Sequence, residues 1–229
     1  MFNLPNILTL CNLICGCLAI ISAFYLDFHA SFWLIVIAAV FDFFDGFAAR
    51  LLKVTSGIGK QLDSLADMVT FGVAPGIMVL IFMKLSGSED NYLYYIALLI
   101  PAFSALRLAK FNIDERQTDG FLGLPTPANA LFFSSLVIFD NTGVLFEPLK
   151  NLNVMSVIVI LFCVLMISEL PLMALKFKSF AWKDNQMKYI FLILTAVLSA
   201  IFFVQATPFI ILLYILMSLI NNKIIKHEV

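Results

Sequence analysis

The sequence predicts an all-α, polytopic transmembrane helix bundle of about eight spans. Three observations carry that expectation. First, 62% of the 229 residues are hydrophobic and only 13% are charged, against roughly 45–50% and about 25% in soluble domains. Second, the mean hydropathy is +1.01. Third, the apolar residues fall in runs, and crossing a bilayer takes about 20 residues at 1.5 Å each. A water-facing surface cannot be built from 14 basic and 15 acidic residues on such a chain, so most of the surface faces lipid. A net charge of -1 excludes a nucleic-acid binder, which needs a basic patch.

The runs cover residues 7–25, 31–52, 65–85, 92–109, 124–139, 154–170, 188–205 and 208–220. The fifth is short, and its PTPANA start predicts an irregular entry. The last two are divided only by Ala206, Thr207 and Pro208, which predicts a tight helical hairpin. The sequence MFNLPN lacks the positive region that opens a signal peptide. Cys11, Cys15, Cys17 and Cys163 lie in apolar runs, without zinc spacing or a pairing framework.

Basic residues set the expected orientation. With the N-terminus inside, the inner loops hold Arg50, Lys53, Lys60, Arg107, Lys110, Arg116, Lys176, Lys178, Lys183, Lys188, Lys223 and Lys226. The outer loops hold only Lys84 and Lys150. Both termini are therefore expected in the cytoplasm. Lys176–Met187, with Trp182 among basic residues, is expected along the membrane surface.

Four carboxylates stand apart from the loops: Asp42, Asp45, Asp63 and Asp67. Asp42 and Asp45 are three apart, Asp63 and Asp67 four apart, so each pair shares a helix face. Arg50 shares the face of Asp42. Asp42 is expected about 12–16 Å below the inner end of its span. An acid at such depth costs on the order of 2.5–3.5 kcal/mol, and clustered acids repel one another. A divalent cation with hard oxygen ligands resolves both problems, with magnesium, manganese or calcium as candidates. Gly46 costs about 1 kcal/mol in mid-helix relative to alanine and opens the backbone to a bulky ligand. Gly57 and Gly59 are expected to loosen the turn between the two helices. Arg50 and Ser56 offer donors for phosphate oxygens. Two other readings stay open on spacing alone: structural ion pairs with Arg50, Lys53 and Lys60, or an ion path through a transporter.

The spacing D-x2-D-G-x2-A-R-x8-G-x3-D-x3-D is filled at every fixed position by Asp42, Asp45, Gly46, Ala49, Arg50, Gly59, Asp63 and Asp67. It resembles the signature of the CDP-alcohol phosphatidyltransferases. ADMVTFGVAPG, RLAKFN at Arg107–Asn112, GLPTPANA at Gly123–Ala130, and Ser168–Pro171 followed by KFKSF resemble the membrane-bound bacterial and archaeal phosphatidylserine synthases within that family. The resemblance covers about residues 3–180. Glu169 departs from the neutral or basic residue expected there.

The resemblance implies a six-helix catalytic core over residues 1–180, with residues 181–229 as a C-terminal hairpin of the same membrane domain. It implies a cell-membrane enzyme, usually a homodimer, with a cytoplasm-facing cavity. The reaction it implies transfers a phosphatidyl group from CDP-diacylglycerol to L-serine and releases CMP. Asp42, Asp45, Asp63 and Asp67 match metal ligands for two divalent ions, Mg2+ or Mn2+ with Ca2+ as an alternative occupant. Asp67 also matches the base that accepts the alcohol's proton. Gly46, Arg50, Ser56, Gly59, Asn6 and Thr9 match positions that contact the CDP-lipid. No histidine is placed to serve instead, since His29 falls in an outer loop and His227 in the tail.

An amino-acid acceptor needs a cation for its carboxylate. Arg107 and Lys110, at the inner end of the fourth span, and Asn112 beside them are the candidates; the alternative is a snorkelling basic cluster. Gly123–Pro127 either shapes the pocket rim or only breaks a helix. Two rival functions stand beside serine transfer. One is a sibling transferase using glycerol 3-phosphate, inositol phosphate or choline. The other is a cation- or proton-coupled transporter. Phosphorylated acceptors need more cations than this sequence offers, and a transporter does not require the glycine and arginine between the acid pairs.

Overall fold

The computed structural model describes residues 3–54, 56–87, 92–114, 121–139, 146–173 and 182–227. It is all-α apart from one two-residue strand pair. α1 (Leu4–Phe24) starts where the Asn3 side chain accepts a hydrogen bond from the Asn6 N–H at 3.0 Å, with Pro5 in the first turn. A tight turn follows, and Asp27 caps α2 (Phe28–Leu51) by accepting from the Ala30 N–H at 2.9 Å. α1 and α2 form an antiparallel hairpin along their length.

α3 (Gly57–Asp67) is capped by Ser56, whose Oγ accepts from the Gly59 N–H at 3.0 Å. Gly57 and Gly59 thus lie inside the first turn of a helix, not in the loosened connection expected of them. α3 passes through a π-helical turn, Met68–Val73, into α4 (Ala74–Ser86). Pro75 has no N–H to give, and its ring would crowd the carbonyl four residues back. The wider π turn accommodates that ring and keeps one continuous span, Gly57–Ser86.

A 3-10 stretch, Tyr92–Leu98, leads into α5 (Leu99–Ile113). α4 and the π turn lie close against α5. A Cβ on Gly72 would sit 3.0 Å from Ser104 Cβ, and one on Gly76 would sit 2.7 Å from Pro101 Cδ. The G-x3-G spacing of GVAPG is what allows this approach.

β1 (Phe121–Leu122) and β2 (Pro171–Leu172) pair antiparallel, Phe121 opposite Leu172. They tie the start of α6 (Thr126–Val137) to the end of α8 (Leu152–Ile167). Between them in sequence lies the single turn α7 (Phe146–Leu149). Gly123 adopts φ +75°, and a Cβ there would meet Met166 O at 2.4 Å. PTPANA itself is not the irregular entry expected of it: α6 is regular from Thr126, with Pro127 in the first turn where its missing N–H costs nothing, and the irregular stretch is Gly123–Pro125 before it.

α9 (Trp182–Phe202) kinks at Asn185, and a 3-10 turn, Phe203–Ala206, leads to α10 (Thr207–His227). Phe191 and Tyr214 rings lie 5.8 Å apart. In a straight helix they would be separated by roughly 35 Å. The chain therefore reverses at Phe203, whose φ is 49°, giving the expected hairpin. Trp182 stacks on Tyr189 at 5.3 Å. The residues before Trp182 in the expected surface segment lie outside those described, as do Arg116, Lys176, Lys178 and the side chains of Lys183, Lys223 and Lys226.

Five helical stretches are long and apolar enough to cross a membrane among the described residues: Leu4–Phe24, Phe28–Leu51, Gly57–Ser86, Tyr92–Ile113 and Asn185–Asn221. The last contains both arms of the α9–α10 hairpin. α6 and α8, at 12 and 16 residues, are shorter than a full span. The protein is an integral membrane protein. Its buried core runs through Phe71, Met78, Ile100, Phe133, Met155 and Met166, while Ile14, Phe43, Phe47 and Val157 face outward.

Candidate active site

The start of α1, the end of α2 and the start of α3 enclose an open cavity of about 520 Å³. Asn6, Thr9, Asp45, Gly46, Ser56, Gly59 and Asp63 all line it. These are seven of the residues singled out from sequence. A Cβ on Gly46 would meet nothing within 4 Å, so the helix backbone is open to the cavity there. Gly59 sits where a Cβ would lie 3.1 Å from both Asn6 Oδ1 and Ser56 Oγ.

The carboxylates divide. Asp42, Asp63 and Asp67 each bring an oxygen within 4.8 Å of the others. The i, i+4 step along α3 puts Asp63 and Asp67 on one face, and α1, packed on both α2 and α3, brings Asp42 to it. Asp45 stands outside that trio. It is buried and accepts a hydrogen bond from Thr9 Oγ at 2.6 Å. Asp67 is buried and accepts from Asn12 Nδ2 at 3.1 Å. Among the described residues none of the four makes an ion pair. Arg50 turns back along its own helix, its Nε donating to Gly46 O at 3.0 Å. Lys60 Nζ donates to Asn112 O at 2.8 Å. The ion-pair reading of the acids therefore lacks its partners. Three converging hard oxygen donors, with no basic side chain paired to them among the described residues, fit a divalent metal ion.

Arg107 is buried on α5, within electrostatic range of Asp67 and of Tyr214. Its guanidinium lies 5.2 Å from the Phe111 ring centroid. Among the described residues its Nε and Nη2 have no hydrogen-bond partner. Lys110 and Asn112 are engaged elsewhere. Lys110 Nζ donates to Ile167 O at 3.3 Å and pairs with Glu169 at 3.7 Å. That gives Glu169 a partner, in a half-exposed pair worth little to stability. Asn112 Nδ2 donates to Ser64 Oγ at 2.8 Å, tying α5 to α3.

Asn12 was not among the residues singled out from sequence. Its signal was present: Asn6, Thr9 and Asn12 recur every third residue on an otherwise apolar span. Thr70, in the π turn, donates to Asn12 O at 3.1 Å. A Cβ on Gly16, one turn on, would collide with Thr70 Oγ at 2.3 Å. The polar stripe of α1 is thus held against the turn that follows Asp67.

The model of the CDP-alcohol phosphatidyltransferase family matches residues 2–226, nearly the whole chain. The chain belongs to the CDP-alcohol phosphatidyltransferase family. Three relatives are each named CDP-diacylglycerol–serine O-phosphatidyltransferase. That of Bacillus subtilis is 40% identical over 124 residues, 54% of this chain and 69% of the relative. That of Helicobacter pylori is 33% identical over 172 residues, 74% of this chain and 71% of the relative. That of Methanocaldococcus jannaschii is 34% identical over 168 residues, 73% and 72% respectively. The four Asp of the signature lie in this matched span, Asp45 and Asp63 lining the cavity and Asp42 and Asp67 converging on Asp63.

Proposed function

We propose that the protein transfers the phosphatidyl group of CDP-diacylglycerol to the hydroxyl of L-serine, giving phosphatidylserine and CMP. The observation that carries the reading is the convergence of Asp42, Asp63 and Asp67 beside a cavity that Asp45, Gly46, Ser56 and Gly59 also line. The serine synthases among its relatives supply the acceptor.

Asp42, Asp45, Asp63 and Asp67 would hold the divalent ions, two per site, Mg2+ or Mn2+. Such ions, when bound, neutralise the pyrophosphate and stabilise the departing CMP oxygen. Asp67 accepts the serine hydroxyl proton as the new P–O bond forms and the bond to CMP breaks. Asn12, donating to Asp67 Oδ1, leaves the other oxygen for metal and proton. Thr9 fixes Asp45 in the same way. Gly46 admits the donor's phosphates to the α2 backbone. Ser56, Gly59 and Asn6 border the nucleotide side, and Arg50 releases Gly46 O to meet a phosphate. Arg107 takes the serine carboxylate. Lys110 and Asn112, held by Glu169 and Ser64, position the end of α5 instead.

Residues 1–180 form the catalytic core and residues 181–229 a hairpin within the same membrane domain. The enzyme is a homodimer in the cell membrane, with its termini and cavity facing the cytoplasm. Incubating membranes with labelled serine and CDP-diacylglycerol, with and without chelator, tests the reading. Labelled lipid that requires both the donor and a divalent cation is expected. A labelled lipid formed from glycerol 3-phosphate but not from serine would reassign the acceptor.

A further inference from the structure

α6 begins inside the protein, behind a break, and its first turn carries an unusual set of buried polar atoms. Thr126 and Asn129 are both fully buried. Among the described residues, Thr126 Oγ, Asn129 Nδ2 and Asn129 Oδ1 have no hydrogen-bond partner. Nearly all buried polar atoms in folded proteins are paired, because leaving one bare costs its full desolvation. The two residues are three apart at the helix start and share one face. No side-chain hydrogen bond caps the turn among the described residues, and the positive end of a helix dipole favours an anion.

The position of α6 matters as much as its atoms. α5 and α6 both pack on the π turn that begins one residue after Asp67, and on each other. α5 brings Arg107, buried, with Nε and Nη2 also lacking partners among the described residues. α10 packs on α6 and brings Tyr214 into electrostatic range of Arg107. Interrupted membrane helices commonly aim their N-termini at anionic substrate groups in this way.

We propose that Thr126 and Asn129, on the first turn of α6, complete with Arg107 a buried clamp for a zwitterionic α-amino acid. The proposal rests on the serine-transfer reading and adds the residues that select the acceptor. Arg107 and the helix end face the carboxylate. The Asn129 amide offers an acceptor for the ammonium and a donor for the carboxylate, the two complementary groups that an α-amino acid carries on one carbon. Thr126 adds a hydroxyl that can serve either. The serine hydroxyl then points to Asp67.

The test uses the full-length protein in detergent or liposomes. Serine incorporation by the wild type is measured first; none would remove the acceptor reading and the clamp with it. With incorporation established, Asn129→Leu, similar in size and without polar atoms, should raise the serine KM about tenfold or more. The KM for CDP-diacylglycerol should stay within about twofold. The preference for serine over ethanolamine, which has no carboxylate, should fall by a similar factor. The melting temperature should hold or rise, since a bare amide has been removed from the interior. Thr126→Val, keeping the β-branched shape, is the second probe and should raise the serine KM several-fold. An unchanged serine KM in both variants would remove the clamp while leaving serine transfer intact. Equal losses for both substrates with a lowered melting temperature would make the residues structural and overturn the proposal.

Discussion

At the scale of single residues, two groups carry the proposed chemistry: Asp67 at the proton transfer and Arg107 at the acceptor. Asp67 is buried and oriented by Asn12. Asp67→Asn should abolish turnover while CDP-lipid binding is largely retained, because the amide keeps the shape but takes no proton. Retention of more than about a tenth of wild-type kcat, a loss under ~1.4 kcal/mol, would remove Asp67 as the base. Arg107 is the cation proposed for the acceptor's carboxylate. Lysine cannot reproduce its bidentate fork, so Arg107→Lys should raise the serine KM by about 10–150-fold, the value of a charged hydrogen bond. Donor affinity should stay near wild type in the same titrations. An Arg107 that only snorkelled would tolerate lysine almost silently. Asp42, Asp45, Asp63 and Asp67 were legible from sequence because acids are costly in lipid and their spacing is periodic. The separation of Asp45 from the other three was not, because it depends on Thr9 from another helix. The contacts of Lys110 with Glu169 and of Asn112 with Ser64 were not legible either, because each partner lies on another segment.

At the scale of elements, two glycines make a contrasting pair. Gly123 has φ +75° and three carbonyl oxygens within 3.0 Å of a would-be Cβ. Gly123→Ala should cost about 1–3 kcal/mol of strain, read as a fall in melting temperature of roughly 2–4 °C per kcal/mol. Gly46 has nothing within 4 Å of a Cβ. Gly46→Ala should leave the melting temperature unchanged or higher, since alanine gains about 1 kcal/mol in a helix. It should nonetheless weaken CDP-diacylglycerol binding, because the cavity's approach to the backbone is lost. A Gly46→Ala variant with normal donor affinity would separate that glycine from the site. The helices themselves were readable as apolar runs, and the α9–α10 reversal was readable from Ala206–Pro208. The π turn was not, since a run of apolar residues around Pro75 does not say how the ring is accommodated. Nor was the packing of α6 against α5 and the π turn, on which the proposed role of Thr126 and Asn129 rests.

At the scale of the molecule, the cavity sits at one end of the bundle, where α1 begins, α2 ends and α3 begins. Arg50, Lys60 and Lys110 lie at the inner ends that the basic-residue bias assigns to the cytoplasm. In a background without native cysteines, Lys53→Cys should react with an impermeant thiol reagent only after the membrane is opened. Reaction in intact cells would invert the topology and put the cavity on the wrong side for a cytoplasmic nucleotide-lipid. Composition made the membrane class legible, and the Asp signature made the chemistry legible. The proposed acceptor clamp rests on the packing of α6 and α10 around α5, which the sequence does not state.

The central claim is divalent-metal-assisted transfer of a phosphatidyl group to serine at the Asp42, Asp63 and Asp67 cluster. The most direct measurement incubates purified protein with CDP-diacylglycerol and radiolabelled serine after exhaustive chelation, then adds back Mg2+ or Mn2+, with Asp67→Asn in parallel. Labelled phosphatidylserine and equimolar CMP should appear only with the restored cation and only in the wild type. Full turnover in the chelated protein, or turnover in Asp67→Asn close to wild type, would contradict the account.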